Sequence, residues 1–290
     1  MPPCAICKGQ RYVLSGEGEH AVARVCECAR SCKVCGGSGY VLGKQEETFS
    51  RRVGPRQYEV LGPCSCRLLE QRVAYYSEAK VPAAHAGADF ESYRSPIDEA
   101  GAKAKRVAQQ FAFGYKRGAR AHGYILSGPV GSGKTHLLAA TLAHVVLEVG
   151  ARAEYVEISH LYANIRRGFQ EGKSGGEIIR PLSEVELLAI DELGKGRMSP
   201  FELETMDELI SRRYNAGRTT LFATNYSLRP PDRARAPYLT TDELKQAGKE
   251  SQLLYDRVGD RIYSRLCEMC DFVEMPRGTP DHRRQRQELR

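Results

Sequence analysis

The stretch Gly128-Pro129-Val130-Gly131-Ser132-Gly133-Lys134-Thr135 constrains this chain more than any other. It fits G-x-x-x-x-G-K-[ST], the pattern of a loop that wraps the phosphates of a nucleotide. Glycines let backbone N–H groups close on phosphate oxygens, and the N-terminus of the following helix adds partial positive charge. Lys134 is placed to reach the β- and γ-phosphates, and the Thr135 hydroxyl to sit on Mg²⁺. The flanks agree. Tyr124-Ile125-Leu126-Ser127 reads as a buried parallel strand, and Leu138, Leu142, Val145, Val146 and Val149 repeat at helical spacing. Strand, loop and helix are the context this motif requires.

A second stretch, Val185-Glu186-Leu187-Leu188-Ala189-Ile190-Asp191-Glu192, is an apolar strand ending in two carboxylates. In open α/β sheets, loops at strand C-termini meet ligands. Asp191 is expected to hold Mg²⁺ through water and Glu192 to polarise an attacking water, two requirements of phosphoryl transfer. Thr219–Asn225 is a further buried strand, and Asn225 at its tip suits a group that hydrogen-bonds that water or the γ-phosphate. Ala153–Ile158 forms a strand, and Ser159 caps a helix carrying Leu161, Tyr162, Ile165 and Phe169. Arg166 and Arg167 on its other face, with Lys173 in a polar Lys173–Gly176 loop, are candidates for a phosphate backbone or a solvated face. Ser199-Pro200-Phe201-Glu202 is a capping box with proline at the first helical position. A later helix, about 253–269, bears Arg257, Arg261 and Arg265, and Asp271–Met275 closes the sheet. Cys267 and Cys270 read as ordinary core thiols. Arg283, in the basic tail, is a candidate to fold back toward the nucleotide.

Eight of the ten cysteines lie in the first 66 residues, as Cys4/Cys7, Cys26/Cys28, Cys32/Cys35 and Cys64/Cys66. The region is duplicated: Cys4–Leu14 matches Cys32–Leu42 at an offset of 28 residues. Each copy runs C-x-x-C, glycine turn, Tyr-Val-Leu strand, hairpin, C-x-C. Two close thiolates from each end make a tetrahedral Cys₄ zinc site. The repeat favours Cys4, Cys7, Cys26 and Cys28 for one ion, and Cys32, Cys35, Cys64 and Cys66 for the other. A nested pairing stays open, because Cys32–Gly39 resembles the C-x-x-C-x-G-x-G element of J-domain co-chaperones, where pairing is nested. A module this small needs zinc to supply folding energy. Residues 1–76 carry 11 Lys/Arg against 7 Asp/Glu, an excess that eight thiolates and two dications would cancel. Binding to DNA through phosphates wants a clear positive excess. The module therefore reads as protein-docking first and DNA-binding second, the latter resting on Arg51, Arg52 and Arg56.

At 290 residues the length suggests about two domains. No apolar run reaches the roughly 18 residues of a membrane span, and the Met-Pro-Pro-Cys start is unlike a signal peptide. The expectation is a cytoplasmic protein that touches no membrane, where reduced thiols point to metal. The division is 1–75 tandem zinc module, 76–120 linker and entry helix (Ala100–Arg117), and 121–290 nucleotide domain. Ala83–Ala88 reads as a loose linker. Phe90 and Tyr93 either pack beside a nucleotide base or form satellite core.

Gly128–Thr135, Leu187–Gly194, Leu221–Asn225 and Asp260–Leu266 together resemble the AAA+ ATPases of the DnaC/DnaI helicase-loader and IstB group, over roughly residues 80–285. The resemblance implies a P-loop AAA+ α/β fold, a five-stranded parallel sheet flanked by helices, with the small β-rich zinc-binding domain ahead of it. It implies ATP hydrolysis, weak without partners, with Asn225 as first sensor. Self-association, or docking on another ATPase ring, is implied too. Ser264-Arg265 resembles the Ser-Arg that carries an arginine finger across a subunit boundary, with Arg261 as second choice. The implied partners are a hexameric replicative DNA helicase and single-stranded DNA. The alternatives are an IstB-like transposition helper, or a zinc-dependent adaptor using ATP as a switch. The doubled eight-cysteine module departs from the single zinc domain of the DnaI type.

Overall fold

Five short strands, the central three fully buried, organise the chain into two layers of helix with a sheet between them. They are β5 (Gly123–Ser127), β6 (Ala153–Glu157), β7 (Leu187–Asp191), β8 (Thr219–Thr224) and β9 (Cys270–Glu274). The computed structural model describes residues 4–30, 32–47, 56–93, 99–228, 252–275, 279 and 281. The strands run parallel in the order β6-β7-β8-β5-β9. Every residue of β5, β7 and β8 is buried. Covered on both faces, these strands read as continuous apolar runs rather than alternating ones. The two faces still separate by parity: Tyr124 and Leu126 join one core cluster, and Ile125 the other.

On the first face lie α2 (Ser65–Glu78), α3 (Glu99–Gly114) and α4 (Lys134–His144), the last extended by a π-type turn over Val145–Val149. On the second lie α5 (Ile158–Gln170), α6 (Gly175–Glu184), α7 (Pro200–Asn215) and α8 (Leu254–Met269). Ser199 caps α7 through the full reciprocal box with Glu202. Arg213 on α7 is fully buried, yet its guanidinium donates to the carbonyls of Leu182 and Val185 at 2.7 and 2.9 Å. A buried cation needs such saturation.

The amino-terminal repeat folds as two antiparallel hairpins. β1 (Tyr12–Glu17) pairs with β2 (His20–Val25), followed by the four-residue α1 (Glu27–Arg30). β3 (Tyr40–Glu47) pairs with β4 (Arg56–Pro63), and α2 follows. The first hairpin packs on α2, and Tyr12, Ala21 and Ala23 belong to the same core cluster as Leu138 of the phosphate-loop helix. The Tyr12 hydroxyl donates to Glu148 at 3.1 Å.

Four local expectations change. Ser159 lies inside α5, whose N-cap is Glu157, which makes no side-chain capping bond. Ala83–Ala88 is not loose: Ala83–His85 is a 3₁₀ turn, Ala86 and Ala88 are buried, and Ala83 N–H donates to the Glu19 carbonyl. The polar loop at Lys173–Gly176 is the start of α6, because Ser174 accepts from the Glu177 N–H and nucleates a turn despite two glycines. Cys270 is core, but Cys267 is exposed on α8. The helix also kinks at Gly259, whose φ of 79° is left-handed. Arg51, Arg52 and Arg283 lie outside the described residues, as does the Arg56 side chain.

Candidate functional site

The phosphate loop joins the tip of β5 to the start of α4, and the Asp-Glu pair follows β7. β8 lies between these two strands and ties both loops down. The Thr224 carbonyl accepts from Gly128 N–H at 3.3 Å, and the Thr224 hydroxyl donates to the Leu193 carbonyl at 2.7 Å. The two motifs thus meet at the carboxyl edge of the sheet. Thr135 Oγ1 donates to Asp191 Oδ2 at 2.7 Å. Lys134 is only 7% exposed, and its Nζ donates to the carbonyls of Gly128 and Pro129, both at 2.8 Å.

Asp191 is held on three sides. Besides Thr135, it accepts from the Tyr155 hydroxyl at 2.8 Å and from the Glu192 N–H at 2.7 Å. Burial first, and Asp191 beside it second, push the Tyr155 hydroxyl far above its ordinary range. Glu192 adopts φ 55°, uncommon for a residue with a Cβ. Its carboxylate pairs with Lys195, which also reaches Glu157 Oε1 at 3.5 Å; the bond to Glu192 raises the Lys195 ammonium. Asn225 stands exposed just past β8. Arg257, nearly buried, donates to the carbonyls of Gly194 and Gly196 at 2.9 and 2.6 Å, and lies over the Tyr226 ring. It clamps the loop after Glu192 to the first half of α8.

Tyr155, Lys195, Thr224 and Arg257 were not singled out for these roles by sequence reasoning. Tyr155, Thr224 and Arg257 each work through a partner distant in sequence, Lys195 lies three residues from Glu192, and none completes a motif. Tyr93 is a partial case. It is buried, as satellite core would be, but against the loop itself: its hydroxyl donates to the Ser132 carbonyl at 3.2 Å. Gly133 has φ 89°, and an added Cβ would lie 2.5 Å from the Tyr93 ring. Gly133→Ala should therefore cost about 2–4 kcal/mol of stability, combining left-handed strain with overpacking. Urea unfolding checks this, and adding Tyr93→Ala should recover the steric part. Equal stability of Gly133→Ala and the unmodified chain would contradict it.

Arg265 and Arg261 converge on Asp207 of α7, at 2.6 and 3.6 Å. The Arg265 side chain is 17% exposed and the Arg261 side chain 75%. Arg166 approaches the buried Glu202 at 4.0 Å, Arg167 bonds Asn164 at 2.7 Å, and Lys173 bonds Glu171 at 2.7 Å.

The cysteines gather sequentially. The sulfurs of Cys4, Cys7, Cys26 and Cys28 lie within 4.8 Å of one another, as do those of Cys32, Cys35, Cys64 and Cys66. The Arg11 and Gly39 N–H groups each donate to a sulfur, Cys7 and Cys35, at 3.3 Å. Burial works against ionising those two thiols, but the amides and neighbouring thiols outweigh it and bring both down to about 6. The bond to Cys7 pushes Cys28 up to about 12; burial and the bond to Cys35 do the same for Cys66. Four converging sulfurs with amides aimed at them fit a tetrahedral thiophilic cation.

This strand order, with one strand between the loop-bearing and the Asp-Glu-bearing tips, is that of P-loop ATPases of the AAA+ type. The crystal structure of the DnaC helicase loader superposes with a TM-score of 0.53 at 24% identity, over 67% of this chain and 99% of that one. The chain belongs to the family of IstB-like ATP binding proteins, whose model matches residues 67–233. It is similar to the replicative helicase loader DnaC of Escherichia coli (strain K12), 28% identical over 148 residues, 50% of this chain and 58% of that protein. It is also similar to the uncharacterized protein YdaV of that strain, 30% identical over 102 residues, 35% of this chain and 41% of YdaV. The match thus spans little more than half of DnaC and less than half of YdaV. Among the described residues, no helix is long and apolar enough to cross a membrane.

Proposed function

We propose that this chain is an ATP-hydrolysing loader of a replicative DNA helicase. The carrying observation is the Thr135–Asp191 bond, which brings the phosphate loop and the Asp-Glu tip to one point on a fold shared with DnaC. In this reading, the loop amides and the start of α4 bind the phosphates. Lys134 exchanges its two carbonyl partners for phosphate oxygens. Thr135 and Asp191 would hold Mg²⁺, which offsets the charge of the triphosphate. Glu192, held by Lys195 meanwhile, receives the proton of the attacking water, and Asn225 orients that water. Arg265 reaches the site of a neighbouring subunit when Asp207 releases it; Arg261 is the second choice, already exposed on the same face.

The two cysteine clusters act as structural zinc sites. Elemental analysis should find about two zinc ions per chain, and a value near one or zero would break that reading. Cys7→Ser should lower the stability of the whole chain by about 2–4 kcal/mol, because it loosens a hairpin whose Tyr12 is core. Cys35→Ser should lower it far less, because no residue of the second hairpin belongs to the core cluster that α2 joins. The flank of Arg166, Arg167 and Lys173 is the candidate track for single-stranded DNA.

The testing experiment mixes the purified chain with a hexameric replicative helicase and follows co-elution with and without ATP. ATP-dependent co-elution is the expected result. The IstB-like family match keeps a transposition helper as second reading. ATP-dependent binding to a transposase, with none to the helicase, would move the assignment there.

A further inference from the structure

The duplicated hairpins share not only their cysteine spacing but also their register. Tyr12 faces Val25 and Leu14 faces Ala23 in the first; Tyr40 faces Pro63 and Leu42 faces Leu61 in the second. The offset of 28 residues makes the Tyr12/Leu14 and Tyr40/Leu42 faces equivalent. Their surroundings differ. In the first hairpin, Tyr12 and Ala23 are buried under α2, together with Val73 and Tyr76 of that helix. Ser77 fixes the contact: its hydroxyl accepts from Ala23 N–H at 3.0 Å and donates to the Ala23 carbonyl at 3.3 Å. In the second hairpin, Tyr40, Leu42 and Leu61 are 41%, 70% and 62% exposed.

The connectivity explains the difference. The helix covering the first hairpin grows out of the second unit: α2 contains Cys66 and folds back. The corresponding segment after Cys26 is the four-residue α1. The first unit thus relies on the helix of the unit after it, and this sequence has no third copy to do the same for the second. A repeat that cannot bury its own face needs a neighbour or a cap. Leu42 and Leu61, directly opposed across the hairpin, form an exposed apolar patch beside Tyr40, whose ring lies under the Arg67 guanidinium, 4.6 Å from the centroid.

We propose that the Tyr40–Leu42–Leu61 face is a docking surface for an amphipathic helix of another protein, seated as α2 is seated on the first hairpin. Leu61 in place of Ala23 widens the apolar contact. Lys44 and Glu59 face each other beside it, so the rim has mixed sign, which suits a protein helix better than a phosphate backbone. A second copy of this chain is a poor occupant through α2, whose own Val73 and Tyr76 are already buried. The surface does not depend on what the ATPase loads.

The test uses the full zinc-loaded chain and a fluorescent peptide of residues 67–81, the helix that the equivalent face holds. Saturable binding is expected, weakened about tenfold or more in L42E/L61E, with zinc content and ATP affinity unchanged. A scrambled peptide of the same composition should not bind. Peptide binding that is absent, or equal in L42E/L61E, overturns the proposal. So does self-association of the unmodified chain that L42E/L61E abolishes, which would make a second copy the occupant.

Discussion

Lys134→Ala should weaken ATP binding by about two to four orders of magnitude. The ammonium sits 7% exposed, aimed along the loop, with two carbonyls at 2.8 Å. Hydrogen bonds from a charged donor contribute about 1.5–3 kcal/mol each. Losing two to the triphosphate therefore removes about 3–6 kcal/mol, where 1.4 kcal/mol is tenfold in affinity. Isothermal titration with ATP measures it directly. Lys134→Arg serves as control: it keeps the charge but brings a fork in place of a point donor. Because Lys134 also staples Gly128 and Pro129, the unfolding midpoint has to be measured alongside. Undiminished ATP affinity in a folded Lys134→Ala chain would sink the phosphate-site assignment.

The second large effect is in turnover. Glu192→Gln should reduce hydrolysis by about 10²–10⁴-fold, the usual contribution of a general base. ATP affinity should stay close to that of the unmodified chain, since the loop amides, Lys134, Thr135 and Asp191 are untouched. Glutamine keeps the size of the side chain and faces the same φ of 55°, so folding is not the variable. It loses the ion pair with Lys195, a contact half in solvent and worth little to stability. Single-turnover measurement with radiolabelled ATP separates the two parameters. Unchanged hydrolysis in Glu192→Gln would mean that another group activates water, and the role given to Glu192 would fail.

Much of this architecture is written locally. Gly128–Thr135 and Leu187–Glu192 are short, ordered strings whose chemistry needs those residue types in that order, so they are legible one residue at a time. The fully buried strands β5, β7 and β8 are legible because each carries a short apolar stretch, Tyr124–Leu126, Leu187–Ile190 and Leu221–Ala223, bounded by polar residues or glycine. The sequential grouping of the cysteines follows from duplication, since equal strings fold alike. What escaped was written at long range. Tyr12 meets Glu148, Ser77 meets Ala23 and Tyr155 meets Asp191. No local period announces such pairs, because each depends on how elements stack. Helix α6 escaped for another reason: two glycines at its start and Pro181 within it lower its intrinsic propensity. Its Ser174 cap, together with Ile179 and Leu182 buried in the core, outweighs them. For the arginines, spacing placed Arg257, Arg261 and Arg265 on one helix, but the kink at Gly259 splits them, one to the loop after Glu192 and two to Asp207.

The helix that starts inside the second cysteine cluster is a single stiff rod about 21 Å long, at 1.5 Å per residue over its 14 residues. Along it, Arg72 grips the Leu147 carbonyl at 3.2 Å, just beyond the end of α4. There is consequently no slack joint between Cys66 and the back wall of the phosphate-loop helix. A pull on the outer hairpin is therefore carried along α2 to the turn that ends the phosphate-loop helix.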